Sequence, residues 1–297
     1  MKKYTFWVFR SLFLIIVIIL IGCQSNSKDT DMNREIRIIF LHHSTGKAIW
    51  NGNSRNIRSL SGKIMKKLFK QNSQTSEVPF LIKQYNKANG TNYIIEEQDF
   101  PKQEIYGWSN YPYDYYNIWV KSGDVEEYMN EPTLKKLSSV YDVIIFKHCF
   151  PVSSIQQDQD TANIDSDIKT LANYKLQYGA LKGKMHEYAN TKFIVWTGAA
   201  LVKSQTTEEE ALRAREFFNW VKNEWDQEND NIFIWDFYEL ETEGGNYMKE
   251  DYAVSPTNSH PNRNFSEHAA GLLVNRIIDI IESEGKTTSL TGEKMMQ

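Results

Sequence analysis

Four short and almost unbroken apolar runs recur along the chain: "IRIIFL" (Ile36 to Leu41), "VIIF" (Val143 to Phe146), "FIVWT" (Phe193 to Thr197) and "IFIWDF" (Ile232 to Phe237). An antiparallel strand with one wet face alternates apolar and polar residues, whereas a strand covered on both faces does not need to. These runs therefore predict parallel strands buried between two layers of helix. "YIIEEQ" (Tyr93 to Gln98) is a more polar fifth strand and belongs nearer an edge. The stretches between the runs carry helical periodicity. Thr207 and Glu210 have capping-box spacing, and Ala211, Ala214, Phe218, Val221 and Trp225 follow at helical intervals. Residues Ile168 to Tyr188 and Phe265 to Ile281 are further helices, the last with Ala269, Leu272, Leu273, Ile277 and Ile280 as its buried stripe. Strand-helix alternation of this kind predicts an α/β fold, a three-layer α/β/α sandwich with a mainly parallel sheet. The 297 residues suffice for one such domain with a full core.

The amino terminus has another character. Lys2, Lys3 and Arg10 precede ten apolar residues, Leu12 to Ile21, a run half the length needed to span a bilayer. "LIGC" (Leu20 to Cys23) resembles the bacterial lipoprotein box, in which cleavage precedes a cysteine that then carries lipid. The expected organisation is a signal peptide over 1–22, lipidated Cys23 and a polar tether over 23–34, one domain over 35–285 and a polar tail over 286–297. The mature chain would sit in the bacterial cell envelope, attached to the membrane through Cys23. Loss of residues 1–22 moves the formal charge from −4 to −7, because Lys2, Lys3 and Arg10 leave. A mildly acidic chain with no basic run is a poor nucleic-acid ligand. Cys149 is then the one remaining thiol besides Cys23, so the mature domain has no internal disulfide.

"FLHHSTGKAIW" (Phe40 to Trp50) leaves the first strand. Its Gly46-Lys47 pair invites a phosphate-loop reading, but Leu41 occupies the position of the first loop glycine and Ala48 that of the magnesium-binding hydroxyl. The alternative is a nucleophile: Ser44 lies three residues beyond Leu41, at the carboxyl end of a strand where open α/β sheets place their sites. A base is available in "SHPNRNFSEHAAGLLVNRI", where His260 precedes the last helix.

At these residues the chain resembles the SGNH (GDSL-like) hydrolases, which set a serine after the first strand and a His-Pro-Asn-like segment before the final helix. The resemblance implies that Ser44 attacks an ester carbonyl and His260 takes its proton. It further implies an oxyanion held by the Ser44 N–H with donors from two later loops. Gly107 stands in the interval of the family's glycine donor. "KHCFP" replaces the family's Gly-x-Asn, which makes Lys147 and His148 the candidates there. The family's acid precedes the histidine by three residues, where this chain has Thr257; Asp251 and Asp236 are the alternative acids. His43 takes the place of the family's aspartate beside the serine.

Cys149 is a competing nucleophile, and His42, His43, His148 and His260 together are a candidate metal cluster, although their spacing matches no zinc pattern. "YGWSNYPYDYYNIW" (Tyr106 to Trp119) carries seven aromatics and reads as a long ordered loop, packed on the sheet or stacking on sugars. The implied function is a lipid-anchored serine ester hydrolase acting on an ester or an acylated carbohydrate, without a cofactor. Its rival is a surface lipoprotein that keeps the fold to bind a glycan or a protein partner.

Overall fold

The computed structural model describes residues 34–52, 76–102, 109–159 and 161–295. The expectations for the signal peptide, Cys23, the tether and Gly107 fall outside the described residues.

The described residues form nine strands and eight α-helices. The central sheet comprises β1 (Glu35–His42), β2 (Asn92–Asp99), β5 (Val143–Lys147), β6 (Lys192–Trp196) and β7 (Ile232–Trp235), in the order β2-β1-β5-β6-β7. Every pairing is parallel. The four apolar runs are thus the four inner and far-edge strands, and the polar run forms the other edge. Ile38 to Leu41 and Val143 to Phe146 are essentially solvent-free. Each such side chain contributes about 1.5–3 kcal/mol by leaving water, which is why both faces must be covered.

Helices α1 (Ser44–Asn51), α2 (Glu77–Asn89) and α8 (Arg263–Ser283) pack together on one face. On the other lie α3 (Pro112–Tyr115), α5 (Leu171–His186) and α6 (Glu208–Trp220); α4 (Leu134–Val140) and α7 (Phe237–Thr242) complete the set. This is the three-layer α/β/α architecture. Two small hairpins, β3 (Glu127–Tyr128) with β4 (Glu131–Pro132) and β8 (Ala253–Ser255) with β9 (Asn258–Pro261), lie outside the main sheet.

Several local expectations have visible causes. The capping box at Thr207 and Glu210 is formed in both directions at the start of α6. Thr170 caps α5 by accepting from the Asn173 N–H, and Asn262 caps α8 by accepting from the Phe265 N–H. The aromatic stretch differs from its reading as a loop. Pro112 sits in the first turn of α3, and a π-helical segment continues it over Tyr116–Lys121. The helical turn aims Tyr115 and Trp119 at Phe100 and Phe146 under the sheet. Packing accounts for these rings, since Tyr111, Tyr115, Tyr116 and Trp119 are all buried.

The polar tail does not stand free over its described part. Asp279 accepts from the backbone N–H groups of Thr287 and Thr288, and the Asp236 N–H donates to Leu290 O. Residues to 295 therefore extend the domain.

Candidate active site

The chain leaves β1 for β2 on one side and then crosses to β5 on the other, so the strand order reverses between β1 and β5. At such a reversal the loops diverge from the carboxyl ends of the strands and leave a crevice. Ser44 is the first residue of α1 at that end of β1, and it is exposed.

The turn that presents Ser44 is braced from below. His42 is fully buried; its Nδ1 lies 3.0 Å from His43 O and its Nε2 3.1 Å from Glu97 Oε2. Lys47 donates to the other Glu97 oxygen. Burial alone would raise the Glu97 carboxyl, but the hydrogen bonds from His42 and Lys47 prevail and hold it below the usual range. His43 O also accepts the Lys47 N–H at 2.8 Å, closing the first turn of α1. The His43 ring donates through Nε2 to Pro101 O at 2.7 Å, and burial depresses its basicity. Gly46 is required by contact: a Cβ there would lie 2.4 Å from the Cβ of His42.

His260 reaches this turn from β9. Its Nε2 lies 2.8 Å from Ser44 Oγ, although the two residues are 216 positions apart. Its Nδ1 lies 2.7 Å from Asn258 Oδ1, and its backbone N–H donates to the same oxygen at 3.1 Å. The Phe150 ring stands perpendicular to the imidazole, with centroids 5.1 Å apart at 88°. Burial, and then the ammonium of Lys147, push the His260 pKa below its ordinary value.

Lys147 ends β5 and is fully buried. Its Nζ donates to His148 O at 2.5 Å and lies 5.9 Å from the Trp196 ring centroid. Burial lowers its pKa, opposed by the charges of Cys149 and Glu241. Glu241 is itself buried, accepts from the Ala200 N–H at 2.6 Å, and is pushed up to about 8 by desolvation.

The remaining sequence candidates go elsewhere. His148 packs edge-on against Tyr115 at 4.5 Å and near Phe146 and Tyr178, facing the helical layer opposite the one that carries Ser44. It is a core residue whose pKa burial holds well below the ordinary value. Asp236 caps α7 and accepts from Thr197 Oγ1 and Lys222 Nζ, each at 2.7 Å. Asp251 is exposed and lends its main-chain oxygen to Asn262. Neither bonds His260 Nδ1, whose partner is the neutral Asn258. The thiol of Cys149 is buried and its pKa raised by desolvation, the opposite of an activated nucleophile. Among the described residues, no group of three or more His, Cys, Asp or Glu side chains converges as a metal site.

The sequence matches no family model and no curated protein. Among solved structures, the chain is similar to a carbohydrate esterase whose active site displays divergent catalytic and non-catalytic binding functions. That match has 16% identity and a TM-score of 0.37, covering 82% of this chain and 65% of the other. It is also similar to an acetyl xylan esterase from the rumen bacterium Butyrivibrio proteoclasticus, at 14% identity and a TM-score of 0.35, over 84% of this chain and 64% of that one. The chain spans just under two-thirds of the length of each. A likeness this distant decides nothing about chemistry, which rests on the site itself.

The spacing of the family's acid, three residues before the histidine, points to Thr257 and passes over Asn258. The available signal was local: an Asn side chain readily bonds the backbone two residues on, and His260 is that residue.

Proposed function

We propose that this protein is a serine ester hydrolase, with Ser44 as nucleophile and His260 as general base. The observation that carries the reading is the 2.8 Å contact between Ser44 Oγ and His260 Nε2 at the strand-order reversal. In the first step Ser44 Oγ bonds to the ester carbonyl carbon while His260 Nε2 takes the hydroxyl proton. The tetrahedral intermediate then expels the alcohol, whose oxygen receives that proton from His260. Water, deprotonated by the same nitrogen, cleaves the acyl-serine, releases the acid and restores Ser44. The oxyanion would be held by the Ser44 N–H, one of the amino-terminal amides of α1 that have no intrahelical acceptor.

The substrate we favour is an acyl group on a carbohydrate outside the cell, a reading supported by the export signature at the amino terminus. A specific observation favours the rival, a binding protein of weak or no activity: the residue on His260 Nδ1 is an amide and not an acid.

One experiment separates the two. Purified wild type and Ser44→Ala are assayed on p-nitrophenyl acetate and on acetylated xylan, and both are exposed to a fluorophosphonate probe. Turnover and labelling by the wild type, with a loss of roughly 10³-fold or more in the variant, are expected. Equal rates in the two proteins would overturn the serine mechanism.

A further inference from the structure

We propose that Asn258 is the positioning residue of this site, occupying the place that a carboxylate holds in a serine triad and locking His260 in the tautomer whose Nε2 is a base. The inference rests on the hydrolytic reading of Ser44 and His260.

Its first support is a matter of donors and acceptors. A side-chain amide presents an oxygen that only accepts and a nitrogen that only donates, and from shape alone the two are interchangeable. Here the choice is forced. The backbone N–H of His260 can only donate, and it points at the same Asn258 atom, 3.1 Å away, that faces the ring. That atom must therefore be the oxygen. Since Nδ1 lies 2.7 Å from this acceptor, Nδ1 carries the ring proton. Nε2 then has a free lone pair directed at the Ser44 hydroxyl, 2.8 Å away.

The second support is mechanical. Asn258 and His260 lie on one short strand of the β8/β9 hairpin, and Asn262 ties that hairpin down by donating to Asp251 O and Ala253 O while capping α8. Phe150 closes the other side of the ring. The imidazole is thus fixed in orientation by an amide, a helix cap and an aromatic ring.

A triad carboxylate does two things: it fixes the tautomer and it stabilises the imidazolium that forms during reaction. An amide oxygen does the first without the second. Around His260 the groups are Ser44 from α1, the neutral Phe150, and the buried ammonium of Lys147 from β5, which disfavours a second charge. The base should consequently keep its lone pair in mildly acidic solution, and a carboxylate introduced at position 258 should change that.

The test uses the mature chain with Asn258→Ala and the isosteric Asn258→Asp. Two readouts are taken: kcat/KM against pH on p-nitrophenyl acetate, and nitrogen NMR of the His260 ring without substrate, assigned by its loss in His260→Gln. Wild type should show Nδ1 protonated and Nε2 bare above its titration. Asn258→Asp should stay active and move the acid limb of the profile upward by about 1 pH unit, because a neighbouring anion favours the imidazolium. Asn258→Ala should lose about 10²- to 10⁴-fold in kcat with KM little changed. A wild-type ring protonated on Nε2, or an acid limb that Asn258→Asp leaves in place, would overturn the proposal. Absence of esterase activity in the wild type would sink the hydrolytic reading instead, and the tautomer would still be read by NMR.

Discussion

Lys147 is fully buried, and burial lowers its pKa below the ordinary lysine value. A lysine at the end of a central strand, fully buried and donating to one carbonyl, carries a desolvation cost that this single hydrogen bond offsets only in part. Its effect is felt at His260, where it adds to burial in lowering the pKa from the ordinary 6.5. Because the base acts only when unprotonated, activity should persist below the pH at which a typical histidine enzyme loses it. Lys147→Met retains most of the volume and removes the charge, so the acid limb of kcat/KM should rise toward 6.5. A profile indistinguishable from wild type would show that the ammonium does not reach the base. At this scale Ser44 and His260 were legible, since each stands in a local context that has meaning by itself: a polar nucleophile just past an apolar strand, and a histidine just before a helix. His148, Asp236 and Asp251 were not. Their partners come from Tyr115, Lys222 and Asn262, and no rule of spacing announces such pairings.

At the scale of elements, the turn from β1 into α1 is tightly constrained. His43 O serves both the His42 ring and the Lys47 N–H, and α1 passes so close to His42 that only glycine fits at 46. Gly46→Ala would force the helix off His42, because the clashing atom is a Cβ anchored to the strand. We expect a destabilisation of about 1–3 kcal/mol, as for overpacked cores. A drop in kcat larger than any change in KM should accompany it, measured by urea unfolding and steady-state kinetics; unchanged values for both would mean the contact is easily relieved. The strands and the capped helices were legible here, since an apolar run, a Thr-x-x-Glu box or an Asn before a helix acts within a few residues. The π-helical segment after Tyr115 was not, because its turn is shaped by where Tyr115 and Trp119 meet Phe100 and Phe146.

For the whole molecule, the direction of the strands sets the geometry of attachment. Arg34 enters β1 at its amino end and Ser44 leaves it at the other, so eight residues of strand, about 26 Å, separate the point where the tether joins from the nucleophile. We propose that the chain is held at the membrane through Cys23. We propose lipid on that cysteine as the anchor because Leu20 to Cys23 reads "LIGC"; separately, among the described residues no helix is long and apolar enough to cross a membrane. In cell fractionation, wild type should sediment with membranes and Cys23→Ala should not; retention of the variant would exclude lipid as the anchor. What the sequence determined by itself is what acts locally: the parallel sheet, from apolar runs that tolerate no wet face, and the serine and histidine, from the segments that carry them. Contacts between distant segments are set by how the layers pack. The crossing from β2 over β1 to β5 puts the strand-order reversal beside Ser44, the hairpin before α8 brings His260 to Ser44, and Asn258 lies against the other nitrogen of that ring. A residue's neighbours across 216 positions are fixed by how the layers close, and linear order does not encode that distance.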